Sequence, residues 1–211
     1  LLKPTTLQND LISLSAFRPG GSSIAPDELY IPARSASQLV FESGFNNFTP
    51  SDIRKLTAGK TVSVKPYINF YEEMFRGTSS EEDFETMLQM VYLYFTKPNK
   101  DQGVFRSFKE RLVAGSKNQD LNSSRFFYNE IARIMSQDHP RAVAIEAAQY
   151  EEELDLEEAF EFYKQRFAGA DGFTFVFVGN FDVAAIKTLA QTYLGTLPGG
   201  GREETWQDVT P

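Results

Sequence analysis

The side chains able to do chemistry in this sequence are few in kind. There is one histidine, His139, and there is no cysteine. Thiolate nucleophiles, thiolate metal sites and disulfides are therefore excluded together. A catalytic zinc ion takes three protein ligands and keeps a fourth position for water. One imidazole cannot supply the usual set. His139 sits in Asp138-His139-Pro140-Arg141, a run with turn character, and reads as a loop-packing residue rather than a ligand or general base. A Ser-His-Asp arrangement would have to use the same histidine, and no serine stands in a Gly-x-Ser-x-Gly setting.

Carboxylates are plentiful, in Glu72-Glu73, Glu81-Glu82-Asp83, Glu151-Glu152-Glu153 and Glu157-Glu158. General acid and base work needs carboxylates whose environments push their pKa values apart. These runs fall at helix starts or on polar faces, so solvated charge and helix-end stabilisation account for them. Gly20-Gly21-Ser22-Ser23 and Gly199-Gly200-Gly201 carry neither the lysine of a phosphate loop nor the spacing of a dinucleotide fingerprint. They read as a turn and a flexible joint. The sequence thus offers no catalytic residue and no metal ligand, and leaves any substrate-binding residues unknown.

The bulk properties agree with a packed domain. The chain has 211 residues, of which 41% are apolar and 14% aromatic, including 19 Phe, enough for a sizeable core. A net charge of -8 argues against nucleic acid as a partner, because phosphate binding needs clustered Lys and Arg. No apolar run is long enough to span a membrane. The sequence opens at Leu1 without a signal peptide or a Met, which suggests a piece of something longer.

Periodicity and capping residues set the elements. Residues 1–10 read as a linker or edge segment. Strands are expected at 11–17, 61–68 and 173–178, with a further strand or continuation at 71–77. The Pro26-Asp27-Glu28 run begins a helical stretch that Gly44 stops. Thr49 caps a short helix with Pro50 in its first turn and Asp52 three residues after the cap. Ser79 and Glu82 have capping-box spacing, ahead of an amphipathic helix carrying Phe84, Met87, Leu88, Val91, Tyr92 and Phe95. Helices are expected at about 102–116 and 123–135. Asp155 begins another, with Leu156, Phe160, Tyr163 and Phe167 on one face, and a last helix aligns Val183, Ile186, Ala190 and Tyr193. This order predicts an α+β fold, a two-layer sandwich with a mainly antiparallel sheet and helices on one face. Residues 1–198 form a single domain in this reading, and 199–211, with Trp206, a linker toward a following domain.

Three segments taken in order resemble the pitrilysin/insulinase family of zinc metalloproteases, which has the processing-peptidase-like metallohydrolase fold. The first is LISLSAFRPGGSS, similar to the strand and loop before the helix that carries the inverted zinc motif H-x-x-E-H. The second runs from SGFNNFTPSD to YLYFTKP, similar to the family's short helix, strand pair and long helix. The third, EEAFEFYKQRFAGADGFTFVFVGNFDVAAIKTLAQTYLGTLPG, resembles its strand-helix ending, with the turn after the last strand. The resemblance implies where a zinc helix would lie. Residues 31–43 occupy that place with no histidine and with Glu42 as the one carboxylate. Glu110 stands roughly where the family has its third ligand, and one carboxylate without two histidines makes no site. The resemblance therefore implies a non-catalytic clamp-half domain from the inactive half of a zinc-dependent metalloendopeptidase. Such a domain shapes the substrate chamber and helps hold peptide, by strand addition to an exposed sheet edge for example. Zinc is then expected in the catalytic half of the parent protein, which is also the expected partner, and the expected location is the bacterial cell envelope or periplasm. The alternatives are a catalytically dead scaffold or assembly protein of the same fold, and an unrelated α+β hydrolase or binding module.

Overall fold

A computed structural model of the chain describes residues 1–7, 10–119, 122–199, 201 and 205–209. Parts of the first segment (8–9), of the glycine joint (Gly200) and of the expected linker (202–204 and 210–211) lie outside the described residues.

A five-stranded sheet is built from β1 (Leu2–Pro4), β2 (Ile12–Pro19), β3 (Val62–Ile68), β4 (Glu72–Ser79) and β5 (Thr174–Gly179), in the order β1-β5-β2-β4-β3. β1 lies parallel to β5 and the other neighbours pair antiparallel. The three expected strands share this sheet, and the opening segment supplies its edge strand β1. The two-residue side-chain period separates the faces. Ile12, Leu14 and Ala16 of β2, Val64 of β3, Phe75 of β4 and Phe177 of β5 point inward and are buried, while Phe17 on the outer face is 39% exposed.

The helices are α1 (Tyr30–Ser43), α2 (Pro50–Leu56), α3 (Phe84–Thr96), α4 (Gln102–Gln119), α5 (Ser123–Met135), α6 (Ala147–Glu153), α7 (Leu156–Arg166) and α8 (Val183–Tyr193). α3 buries Phe84, Met87, Leu88 and Val91 on the sheet, as its spacing predicts. Phe75 rises from β4 into an aromatic cluster, 5.0 Å from Phe167 and 5.1 Å from Phe95 between ring centroids. Asp155 accepts the N–H groups of Glu157 and Glu158 and caps α7.

Three expectations need correction, and one helix is additional to those expected. Ser79 is still in β4, paired with Ile12 and Val62 and buried, so it cannot turn back to cap a helix. Its neighbour Ser80 closes the turn before α3 instead: its hydroxyl accepts the Asp83 N–H at 3.2 Å and donates to Asp83 Oδ2 at 3.0 Å, while Asp83, the N-cap residue of α3, has no side-chain cap bond. The buried face of α7 is Leu156, Ala159, Phe162, Tyr163 and Arg166, with Phe160 only half-buried. On α8, Val183 is exposed and Ile186 makes the deep contact, because the helix rests on α3 through Tyr193, whose hydroxyl donates to Glu85 at 2.6 Å. Helix α6 had no separate expectation. Glu146 and Gln149 form a capping box for it, a pattern that the charged run after it obscures.

Candidate functional site

Helix α1 spans the stretch where the family resemblance puts a zinc helix. Glu42, near its C-terminal end, is held by Arg111 of α4 at 2.5 Å and accepts from Gln38 at 2.8 Å. Glu110, the residue before Arg111, is exposed on α4. His139 lies at the other end: Tyr30, in the first turn of α1, donates to the Arg141 carbonyl at 3.2 Å. Tyr30 and Glu42 are separated along α1 by about 18 Å at 1.5 Å per residue. The His139 Nδ1 accepts the Arg141 N–H at 3.3 Å inside its own turn. The fold therefore does not bring His139 to Glu42. Among the described residues, no group of three or more His, Asp or Glu side chains is placed to hold a metal ion.

The acidic runs do not all behave as solvated charge. Glu73 is 0% exposed. It faces Arg18 across the β2–β4 ladder, and Arg18 Nε stands 3.3 Å from its Oε2. Arg166 of α7 donates to Oε1, and the Gly21 N–H reaches the same oxygen at 2.9 Å. Burial alone disfavours a carboxylate strongly, and two guanidinium groups compensate it. Arg141 is buried nearby and grips the same loop, donating to the Ser22 carbonyl at 3.0 Å and to Asp27 at 2.9 Å. Together these groups fix residues 20–27, the turn that leads into α1. Gly21 is required there: its φ is +69°, and a Cβ would lie 2.4 Å from the Asn69 carbonyl oxygen. No spacing rule in the sequence joins Arg18, Glu73, Arg141 and Arg166, since their contacts span up to 153 residues.

The surface best placed to receive another molecule is the margin of β3. Thr61 closes one end, its N–H taken by Asp83 at 2.8 Å. Ser37 of α1 closes the other by accepting the Ile68 N–H at 3.1 Å. The hairpin bonds Asn69 N–H to Glu72 C=O and Ser80 N–H to Thr61 C=O turn the odd-numbered residues of β3 toward β4. The even-numbered ones face the edge, where Pro66 lacks an N–H to lose. Val64 is only 3% exposed and Pro66 is buried, because α1 runs alongside with Phe41 reaching to 5.0 Å from the Lys65 ammonium. This helix-guarded edge is not the exposed edge that strand addition needs.

Two grooves flank that edge and meet at Phe41. One, of about 460 Å³, lies on the helix side, with Ile53 of α2, Val62 of β3, and Met90 and Tyr94 of α3 among its lining residues. Helix α2 is set in place by its capping box, in which Thr49 accepts from Asp52 N–H and Asp52 accepts from Thr49 N–H. Asn99 fixes the loop before it, donating to the carbonyls of Ser43 at 3.2 Å and Phe48 at 3.0 Å. Tyr94 is buried in this wall, and burial pushes its phenol pKa above the ordinary value. The second groove, of about 530 Å³, lies on the outer face of the sheet and is lined by hydroxyls and cations, among them Ser15, Ser63, Lys65, Arg76 and Thr78.

No protein-family model and no curated protein sequence matches the chain. Solved structures do. The periplasmic protease PqqL from Escherichia coli is similar with a TM-score of 0.82 at 16% identity, over 98% of this chain and 23% of that one. The ferredoxin protease FusC, solved as a mutant in complex with Arabidopsis ferredoxin, is similar with a TM-score of 0.76 at 17% identity, over 96% of this chain and 22% of that one. The peptidase M16 inactive domain from Pseudomonas fluorescens gives 0.74 at 17% identity, over 98% of this chain and 50% of that one. The chain thus spans between about a fifth and a half of the solved chains it matches. What these likenesses share is the fold, and this chain has an α+β fold like that of the M16 peptidases.

Proposed function

We propose that this chain is a non-catalytic domain of a pitrilysin/insulinase-type zinc metalloendopeptidase, and that it walls the substrate chamber opposite the zinc. The observation that carries the reading is the structural likeness, over 98% of this chain and 50% of that one, to an M16 inactive domain, combined with an α1 that offers Glu42 bound to Arg111 where a zinc helix would offer histidines. Without imidazole ligands there is no Lewis acid to lower the pKa of a bound water, and function resides in sites rather than in folds. The catalytic half of the same protein is then the partner, and it carries the zinc. The likeness to the periplasmic protease PqqL supports a periplasmic location, and no helix among the described residues is long and apolar enough to cross a membrane.

In this reading the contribution of the domain is geometric. An extended peptide rests on the outer face of the sheet and in the groove beside β3, rather than pairing along the guarded edge. The test is binding without turnover. The purified chain should hold an unfolded peptide in fluorescence anisotropy and leave it intact over hours. Absence of binding for every peptide tried would remove the substrate-holding part of the reading.

A further inference from the structure

Lys65 and Arg76 stand directly opposite each other in the β3–β4 ladder. Both point to the outer face, since the odd residues of β3 and the even residues of β4 alternate away from the core. The bonding pattern of the hairpin makes them a hydrogen-bonded pair, with Cα atoms about 5.5 Å apart. Like charges directly opposite on a sheet destabilise it. Among the described residues neither cation is paired with a carboxylate. Both lie against aromatic rings instead: the Lys65 ammonium is 5.2 Å from the Tyr67 centroid and 5.0 Å from that of Phe41, and the Arg76 guanidinium is 5.9 Å from Tyr67. Ser15 continues the row on β2, and Ser13, Thr78 and Ser63 form the next row. The basin of about 530 Å³ that they line contains no acidic side chain, in a chain of net charge -8.

A close pair of cations ringed by hydroxyl donors is complementary to one carboxylate, which relieves the repulsion and accepts several donors at once. From this we infer that the outer face of the sheet recognises an acidic side chain, Asp or Glu, of an extended polypeptide through Lys65 and Arg76. The inference rests on the peptide-holding reading above and adds to it a chemical class of ligand: segments with an acidic residue flanked by apolar or small ones. The apolar groove on the helix side of β3 would take a neighbouring apolar residue.

The experiment compares fluorescent peptides that are acetylated and amidated at their ends and differ only at one central residue, Glu, Gln or Lys. Binding to the intact chain is read by anisotropy. The Glu peptide should bind about tenfold more tightly than the Gln peptide, the size of one charge-assisted hydrogen bond, and the Lys peptide most weakly. In Arg76→Gln and Lys65→Gln the Glu and Gln peptides should bind alike. Lys65→Glu places opposite charges across the ladder, so it should melt at or above the wild-type temperature and lose the preference. That result separates recognition from misfolding. Equal binding of the Glu and Gln peptides to the wild type would overturn the inference and leave peptide holding intact. A Gln peptide with a free C-terminus that binds as tightly as the Glu peptide would assign the basin to a terminal carboxylate and overturn the side-chain assignment. Failure of every peptide to bind would overturn both readings.

Discussion

Arg18 and Glu73 face each other across the β2–β4 ladder on the inner side of the sheet, with Nε 3.3 Å from Oε2 and both side chains buried. Arg166 completes the cluster from α7, so one carboxylate ties two strands, a helix and the Gly20-Gly21 turn. Removing the charge takes away the carboxylate that two buried guanidinium groups share. Glu73→Gln should cost about 3–5 kcal/mol, the range for breaking a buried ion pair from one side. Urea denaturation measures it, and a loss under about 1 kcal/mol would show that the cluster does not hold the fold.

Leu88 is the purest test of the core. It is 0% exposed on the face of α3 that packs on the sheet. Replacing Leu88 with Ala should cost roughly 2–5 kcal/mol through lost burial and an unfilled cavity. A shift in the denaturation midpoint without a change in slope would identify the effect as one on stability.

Asp83 gives a pH signature. Its carboxyl is held below the ordinary carboxylate value, first by the Lys60 ammonium at 3.0 Å, then by the Thr61 N–H. A depressed pKa in the folded state means that the ionised form stabilises the fold. That contribution is fully present above the unfolded-state value of about 4 and fades as pH falls through the lower folded value. Asp83→Asn should therefore lower the melting temperature at neutral pH, and the gap to wild type should shrink below about pH 4. A gap that stays constant down to pH 2 would contradict the assignment.

Much of the fold was legible because it is written in local patterns. The alternation of Ile12, Leu14 and Ala16, the Thr49 cap and the spacing of α3 are each contained within one element. The register of Ser79 was harder, since only its ladder partners show that β4 has not yet ended there. The candidate site was less legible still. Lys65 and Arg76 look like ordinary strand polarity until the hairpin sets them opposite each other. Glu73 lies in an acidic run that reads as solvated, and only the tertiary fold supplies Arg18 and Arg166. What the sequence did show was the lack of histidine in residues 31–43, because that depends on composition and needs no contact.

The role proposed for this domain is to hold substrate while doing no chemistry on it. Its most direct test is one sample measured in two ways: metal content by elemental analysis after incubation with zinc and desalting, and cleavage of an unfolded peptide with and without a chelator. The account predicts substoichiometric zinc and an intact peptide in both arms. Stoichiometric zinc together with chelator-sensitive cleavage by this chain would contradict it.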